Sequence, residues 1–205
     1  MKVSEMLGDQ KVVPVVVIEN EEQAMGLAQA LLDGGINVIE ITLRNSYAIE
    51  AIDLIKKNFP EMTVLAGTVT LADQVAAVVA AGADAMISPG ITESLLTSAK
   101  HNDIAYLPGV GSASDIMLAI EYGLNECKLF PATVVGGISA LKAFGGPFTE
   151  IKFCPTGGVS EANYRDFLAL PNVMCVGGSW VTPSGLIQDA NWSEITRLCK
   201  AIRSA

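Results

Sequence analysis

The feature that most restricts what this chain can fold into is an alternation that recurs eight times along its 205 residues. Short Val/Ile-rich runs at residues 11–18, 36–43, 63–68, 85–88, 105–108, 126–130, 151–154 and 173–176 read as strands. Stretches with helical spacing separate and follow them, at 21–33, 47–58, 71–81, 93–101, 113–122, 138–144, 161–168 and 192–202. Glycines at 34–35, 82 and 123 stand where helix C-terminal caps are wanted, and Ser160 is placed to cap the seventh helix at its N-terminus. Strict β-α alternation calls for a parallel sheet covered by helices, because parallel neighbours need a crossover. Eight units is the count that closes a (β/α)8 TIM barrel, expected here as one domain over 1–205 with a short helical segment ahead of the first strand. An open doubly wound sheet is the rival. It usually carries Gly-x-Gly-x-x-Gly after its first strand, and Ile18-Glu-Asn-Glu-Glu22 offers nothing of that kind.

Composition narrows the partners. Half the residues are apolar and only 17% are charged, so much surface is expected to be buried in a core or in subunit contacts, which predicts an oligomer. A net charge of −9 argues against nucleic acid and anionic membranes, both of which need a basic footprint. Any anion site must therefore be built locally, from backbone amides and a few basic side chains. The first residues lack a signal-peptide core, and no run of about 20 uncharged apolar residues appears, so a cytoplasmic protein without a membrane span is expected. Cys127, Cys154, Cys175 and Cys199 are dispersed, without a Cys-x-x-Cys pair, and read as small buried hydrophobes rather than as disulfide or metal ligands.

In such a barrel the chemistry sits at the carboxyl ends of the strands. Strand side chains alternate, so Val38, Glu40, Thr42 and Arg44 share one face, while Ile39, Ile41 and Leu43 face the helices. That leaves Glu40 and Arg44 pointing inward, either as a buried ion pair or as a proton carrier and a carboxylate clamp. In the sixth run, Glu126-Cys-Lys-Leu-Phe-Pro-Ala132, Lys128 stands alone among apolar residues. Desolvation disfavours an ammonium there, and a neutral amine in a pocket is a nucleophile towards carbonyls. The other strand lysines, Lys11 and Lys152, lie near strand starts. Thr68 ends the third run after Gly67, where a helix cap is the plainer role. Gly157-Gly158 and Gly177-Gly178 end the last two runs, and paired glycine turns there form a phosphate cradle from free amides and a helix dipole. His101 reads as a solvated helix end, and Trp180 as packing near the second glycine pair.

Seven segments together carry a resemblance: Val38-Ile-Glu-Ile-Thr-Leu-Arg44, Ala66-Gly-Thr68, Ile87-Ser-Pro-Gly90, Lys128-Leu-Phe-Pro-Ala132, Phe153-Cys-Pro-Thr-Gly-Gly158, Asn163-Tyr-Arg-Asp166 and Gly177-Gly-Ser-Trp180. They resemble, in order and over nearly the whole chain, the 2-keto-3-deoxy-6-phosphogluconate (KDPG) aldolase family, also called the 4-hydroxy-2-oxoglutarate (KHG) aldolase family. The resemblance implies a metal-independent class I aldolase without cofactor on a trimeric (β/α)8 barrel. It implies Lys128 as the Schiff-base lysine, Glu40 as acid/base, and Arg44, Thr68, Phe130 and Thr156 as substrate binders. Gly157, Gly158, Gly178 and Ser179 would hold the phosphate. Leu129 stands where the family often has a second aromatic, and the segment before the first strand is short, which leaves the cover of the barrel's base open.

The residues alone also admit a phosphate-binding barrel isomerase that uses Lys128 only as an anion anchor, and a non-catalytic sugar-phosphate sensor. Within the aldolases they leave open the aldehyde half, including a galactonate-derived substrate.

Overall fold

The computed structural model describes residues 2–203. In chain order the elements are α1 (Val3–Leu7), β1 (Val12–Val16), α2 (Glu21–Asp33), β2 (Val38–Thr42), α3 (Ala48–Asn58), β3 (Thr63–Gly67), α4 (Gln74–Ala80) and β4 (Ala85–Ile87). They continue as α5 (Glu93–His101), β5 (Ala105–Leu107), β6 (Gly109–Val110), α6 (Ala113–Glu121), β7 (Glu126–Leu129) and α7 (Gly137–Phe144). The last are β8 (Lys152–Pro155), α8 (Tyr164–Leu168), β9 (Val176–Gly178), α9 (Ser184–Gln188) and α10 (Trp192–Arg203).

All ladder pairings are parallel. Six strands form one sheet in the order β5-β4-β3-β2-β1-β9, and three form a second in the order β6-β7-β8. Parallel strands covered by helices are buried on both faces, and β2 is buried at all five positions even though two of them are Glu40 and Thr42. The two sheets are separated at Pro108, which has no amide hydrogen to continue a ladder. The fifth strand, expected over 105–108, stops before it at Leu107 and β6 begins beyond it, although the Pro108 carbonyl still accepts from the Lys128 amide at 2.8 Å. At the other edge, single bridges pair Phe153 with Val173 and Thr156 with Gly177.

Several boundaries differ from the sequence reading. The eighth strand is not 173–176 but Val176–Gly178, so Gly177 and Gly178 lie in a strand and form no turn. Helix α4 begins at Gln74 rather than 71, because the Gln74 side chain accepts from the amides of Thr70 and Leu71 and holds that segment as a loop. Helix α8 has only five residues, and Asn163 rather than Ser160 precedes it. Helix α9, entered through Pro183, was not foreseen.

Helix α1 answers the question of the base. Val3 and Leu7 are buried, and both the amide (3.2 Å) and the hydroxyl of Ser4 donate to the carboxylate of Glu126, at the first residue of β7. Helix starts are satisfied locally: Asn20 accepts from the Gln23 amide at 2.9 Å, and Thr92 from the Leu95 amide at 3.2 Å. The apolar core forms a large cluster around β1 to β5 and a smaller one around β7 and β8, where Phe153 stacks on Phe144. Among the described residues no helix is long and apolar enough to cross a membrane.

Candidate active site

The centre of the site is a buried pair contributed by strands distant in sequence. Lys128 Nζ lies 2.8 Å from Glu40 Oε1 and 3.2 Å from Oε2. Lys128 is 5% exposed and Glu40 1%. A one-residue shift in either strand's register would turn these side chains out of the interior, so the apolar alternation that fixes β2 and β7 also fixes the pair. Gly67 shows how close the packing is: a Cβ there would fall 2.3 Å from Glu40 Oε1.

This geometry corrects two expectations. Glu40 is paired with Lys128, and the buried Glu40–Arg44 ion pair does not form. Strand β2 ends at Thr42, whose hydroxyl donates to the Val16 carbonyl at 2.8 Å. The Arg44 amide turns back onto the Thr42 carbonyl at 2.8 Å, so the alternation that would have kept Arg44 beside Glu40 has ended. Arg44 is exposed and forms no ion pair among the described residues. Nor is Lys128 a lone cation. Its carboxylate partner offsets part of the desolvation argument and supplies an acceptor for the proton an attacking amine must lose.

Around the pair, Phe130 is half-buried with its ring centroid 5.4 Å from Lys128 Nζ, a cation–π distance. Thr68 is half-buried at φ 58°, in the left-handed region that a β-branched residue rarely enters. Strand β3 ends one residue earlier, so parity with Val64 and Ala66 does not extend to Thr68. It caps no helix, since α4 starts after Asp73. Backbone held in such a region costs on the order of 1–3 kcal/mol and tends to occur at functional sites.

The two glycine pairs behave differently. Gly157 and Gly158 form a true turn, at φ 96° and 78°, and a Cβ on Gly158 would fall 2.0 Å from Thr133 Oγ1. The turn is held by the Thr133 amide donating to the Gly157 carbonyl at 3.1 Å and by Asn163 Nδ2 donating to the Gly158 carbonyl at 3.0 Å. Helix α8 is short and starts six residues beyond Gly158, so any anion here is held by loop amides and not by a helix dipole. Gly177 and Gly178 serve close approach: a Cβ on Gly177 would fall 2.4 Å from Thr156 Oγ1, and one on Gly178 1.9 Å from the Trp180 ring. Thr156 is thereby drawn against β9, and Ser179 emerges exposed immediately after it. Arg44 and Ser179 line one hollow of about 260 Å³.

The sequence model of the aldolase family described as KDPG and KHG aldolase matches residues 3–198. The chain belongs to the KDPG and KHG aldolase family. It is 50% identical over 189 residues to 2-dehydro-3-deoxy-phosphogluconate aldolase of Dickeya dadantii, covering 92% of this chain and 89% of that protein. It is 48% identical over 189 residues to the KHG/KDPG aldolase of Escherichia coli K12, with the same shares covered. A crystal structure of KDPG aldolase from Legionella pneumophila, with pyruvate captured at low pH as a covalent carbinolamine intermediate, superposes with a TM-score of 0.95 at 47% identity, covering 98% of both chains.

In this member of the KDPG and KHG aldolase family, two buried residues, one beside the Arg44–Ser179 hollow and one beside Lys128, were not singled out by the sequence reading. Thr182 is 2% exposed, lines the hollow with Arg44 and Ser179, and its buried hydroxyl has no hydrogen-bond partner. Its signal was faint: a threonine before a proline reads as a turn. Cys154 is the register partner of Lys128, with Sγ 3.8 Å from Thr156 Oγ1. Its thiol is held below the usual range, chiefly by a hydrogen bond with Cys175 and then, against the opposing effect of burial, by the Lys128 charge. Only strand register could have placed it there. Cys127 and Cys199 are buried, with thiols pushed up to about 12 by desolvation. His101 is exposed at the end of α5, and among the described residues no cluster of three or more His, Cys, Asp or Glu could hold a metal.

Proposed function

We propose that this chain is a class I aldolase that cleaves KDPG reversibly to pyruvate and glyceraldehyde 3-phosphate, and KHG to pyruvate and glyoxylate. The observation that carries the reading is the buried Lys128–Glu40 pair at 2.8 Å, an amine nucleophile beside its own proton acceptor. Lys128 passes a proton to Glu40 and attacks the C2 ketone. Proton transfer from nitrogen to oxygen gives the carbinolamine, and protonated Glu40 returns its proton as water leaves, giving the iminium. Glu40 then takes the C4 hydroxyl proton, the C3–C4 bond breaks, and its electrons move towards the iminium nitrogen to give an enamine and the aldehyde. Glu40 protonates C3, and hydrolysis frees pyruvate and Lys128. Each positioned proton transfer contributes about 10²–10⁴-fold.

Arg44 clamps the pyruvate carboxylate, with Thr68, Phe130 and Thr156 completing the binding of that end. Gly157, Gly158, Gly178 and Ser179 receive the phosphate. In this reading the two parallel sheets act as one closed eight-stranded (β/α)8 barrel in a single domain over 1–205, a reading supported by the Pro108 carbonyl contact and the β8–β9 bridges. A cytoplasmic homotrimer is consistent with exposed apolar residues such as Met117, Ile120 and Val134. The test is reduction with borohydride in the presence of pyruvate: an irreversible adduct is expected on the peptide containing Lys128, and none in Lys128→Ala. Full turnover in Lys128→Ala would overturn the mechanism.

A further inference from the structure

A second cavity of about 490 Å³ opens at the amino ends of the strands, away from Lys128. Its volume lies within the range of about 300–1,000 Å³ typical of small-molecule sites. Lys11, Arg165 and Arg203 line it, against one carboxylate, Asp9. That inverts the sign of the chain as a whole, which has 13 basic and 22 acidic residues. Asp9 is already engaged by Arg203 at 2.8 Å, and this pairing holds its carboxyl below the usual range. The floor is apolar, from Val12, Ile36 and Ile202.

Tyr164 supplies an independent observation. It lines the same cavity and is only 4% exposed, with Trp180 on its ring at 5.6 Å and the Arg165 guanidinium 4.7 Å from its centroid. Among the described residues its hydroxyl has no hydrogen-bond partner, and it is not one of the polar atoms sealed off in the interior. A ring buried in the wall, with a hydroxyl that reaches the cavity surface and is not committed to a protein acceptor, in a cavity also lined by two guanidinium groups, is equipped to meet an anion.

We propose that this cavity is a second ligand site, for a small phosphate monoester with an apolar or aromatic body. The dianion meets Arg165, Arg203 and Lys11, the Tyr164 hydroxyl donates to one phosphate oxygen, and the body lies on the Val12–Ile36–Ile202 floor. A chain of contacts leads from the cavity towards the candidate active site, through Tyr164 to Trp180. Helix α8, which carries Tyr164 and Arg165, follows the Gly157-Gly158 turn, and the Trp180 ring packs on Gly178. An occupant therefore bears on the loops that flank Ser179.

Methyl NMR with labelled isoleucines separates the two sites without relying on the aldolase reading. Ile36 and Ile202 report the new cavity, and Ile187 reports the hollow beside Ser179. Titration with phenyl phosphate is expected to shift Ile36 and Ile202 saturably, with a midpoint below about 1 mM, while phenol leaves them unmoved. Arg165→Ala combined with Arg203→Ala should weaken binding about tenfold or more, Tyr164→Phe about fivefold, and Asp9→Asn should strengthen it. Shifts confined to Ile187, equal shifts with phenol, or affinity unchanged in the double variant would each overturn the proposal.

Discussion

Two buried carboxylates, one at the start of β7 and one midway along β2, have different partners. Glu126, at the amino end of β7, accepts from the amide and hydroxyl of Ser4, both neutral donors that keep their protons. Glu40, on β2, meets among the described residues a single hydrogen-bonding partner, the amine of Lys128, which can give its proton away. The neighbouring lysines repeat the contrast: Lys128 is buried against Glu40, whereas Lys152, the register partner of Glu126, is exposed and donates to the Pro171 carbonyl at 2.9 Å. Burial therefore does not separate a chemical group from a structural one. The kind of partner does.

The largest effect expected from this contrast is in the lysines. Lys128→Ala should lower kcat by about 10⁴-fold or more, while Lys152→Ala should stay within about twofold, in a coupled assay of pyruvate release. Comparable losses in both would erase the contrast. Next come the carboxylates: Glu40→Gln should lower kcat by about 10²–10⁴-fold, whereas Glu126→Gln should leave kcat nearly unchanged and lower unfolding free energy by about 1–3 kcal/mol in denaturant titration. Gly158→Ala sharpens the comparison within the carboxyl end. Its φ of 78° and the clash with Thr133 Oγ1 should distort the turn, raising KM about tenfold for the phosphorylated substrate but not for KHG.

The smallest effect is one of pH. Burial is the main cause pushing the Tyr106 hydroxyl to about 12. The unfolded chain loses this proton near its ordinary value of 10.0, before the folded one does. Stability present below pH 10 is thus lost as the pH rises from about 10 to 12, by up to about 2–3 kcal/mol. Tyr106→Phe should flatten that part of the curve of denaturation midpoint against pH, leaving the same-signed contributions of Cys127 and Cys199. An unchanged slope would show that Tyr106 does not carry the loss.

The alternation was legible because β-branched runs and helical spacing are local properties, and α2 and α5 fall where the spacing puts them. The misplacements have identifiable causes. The run Val173-Met-Cys-Val176 looks like a strand, yet the pairing with β1 continues through Gly177 and Gly178, which have no side chains to show a period of two. Pro108 was counted inside a strand although it cannot donate to a ladder. Within the candidate site, strand parity correctly turned Glu40 inward, but parity ends where a strand ends, so it misjudged Arg44. The meeting of Lys128 with Glu40 spans 88 positions, a separation that no local pattern encodes.

The Ser4–Glu126 contact spans 122 positions. Helix α1 is synthesised long before β7, so although Val3 and Leu7 pack into the core around β1 to β5, the Ser4–Glu126 hydrogen bonds can form only after more than half the polypeptide has been made. Loop closure grows in cost only logarithmically with length, so the delay is kinetic rather than a weakness of the finished seat. A fusion placed ahead of Lys2 would load a helix that is hydrogen-bonded to β7, the strand that bears Lys128.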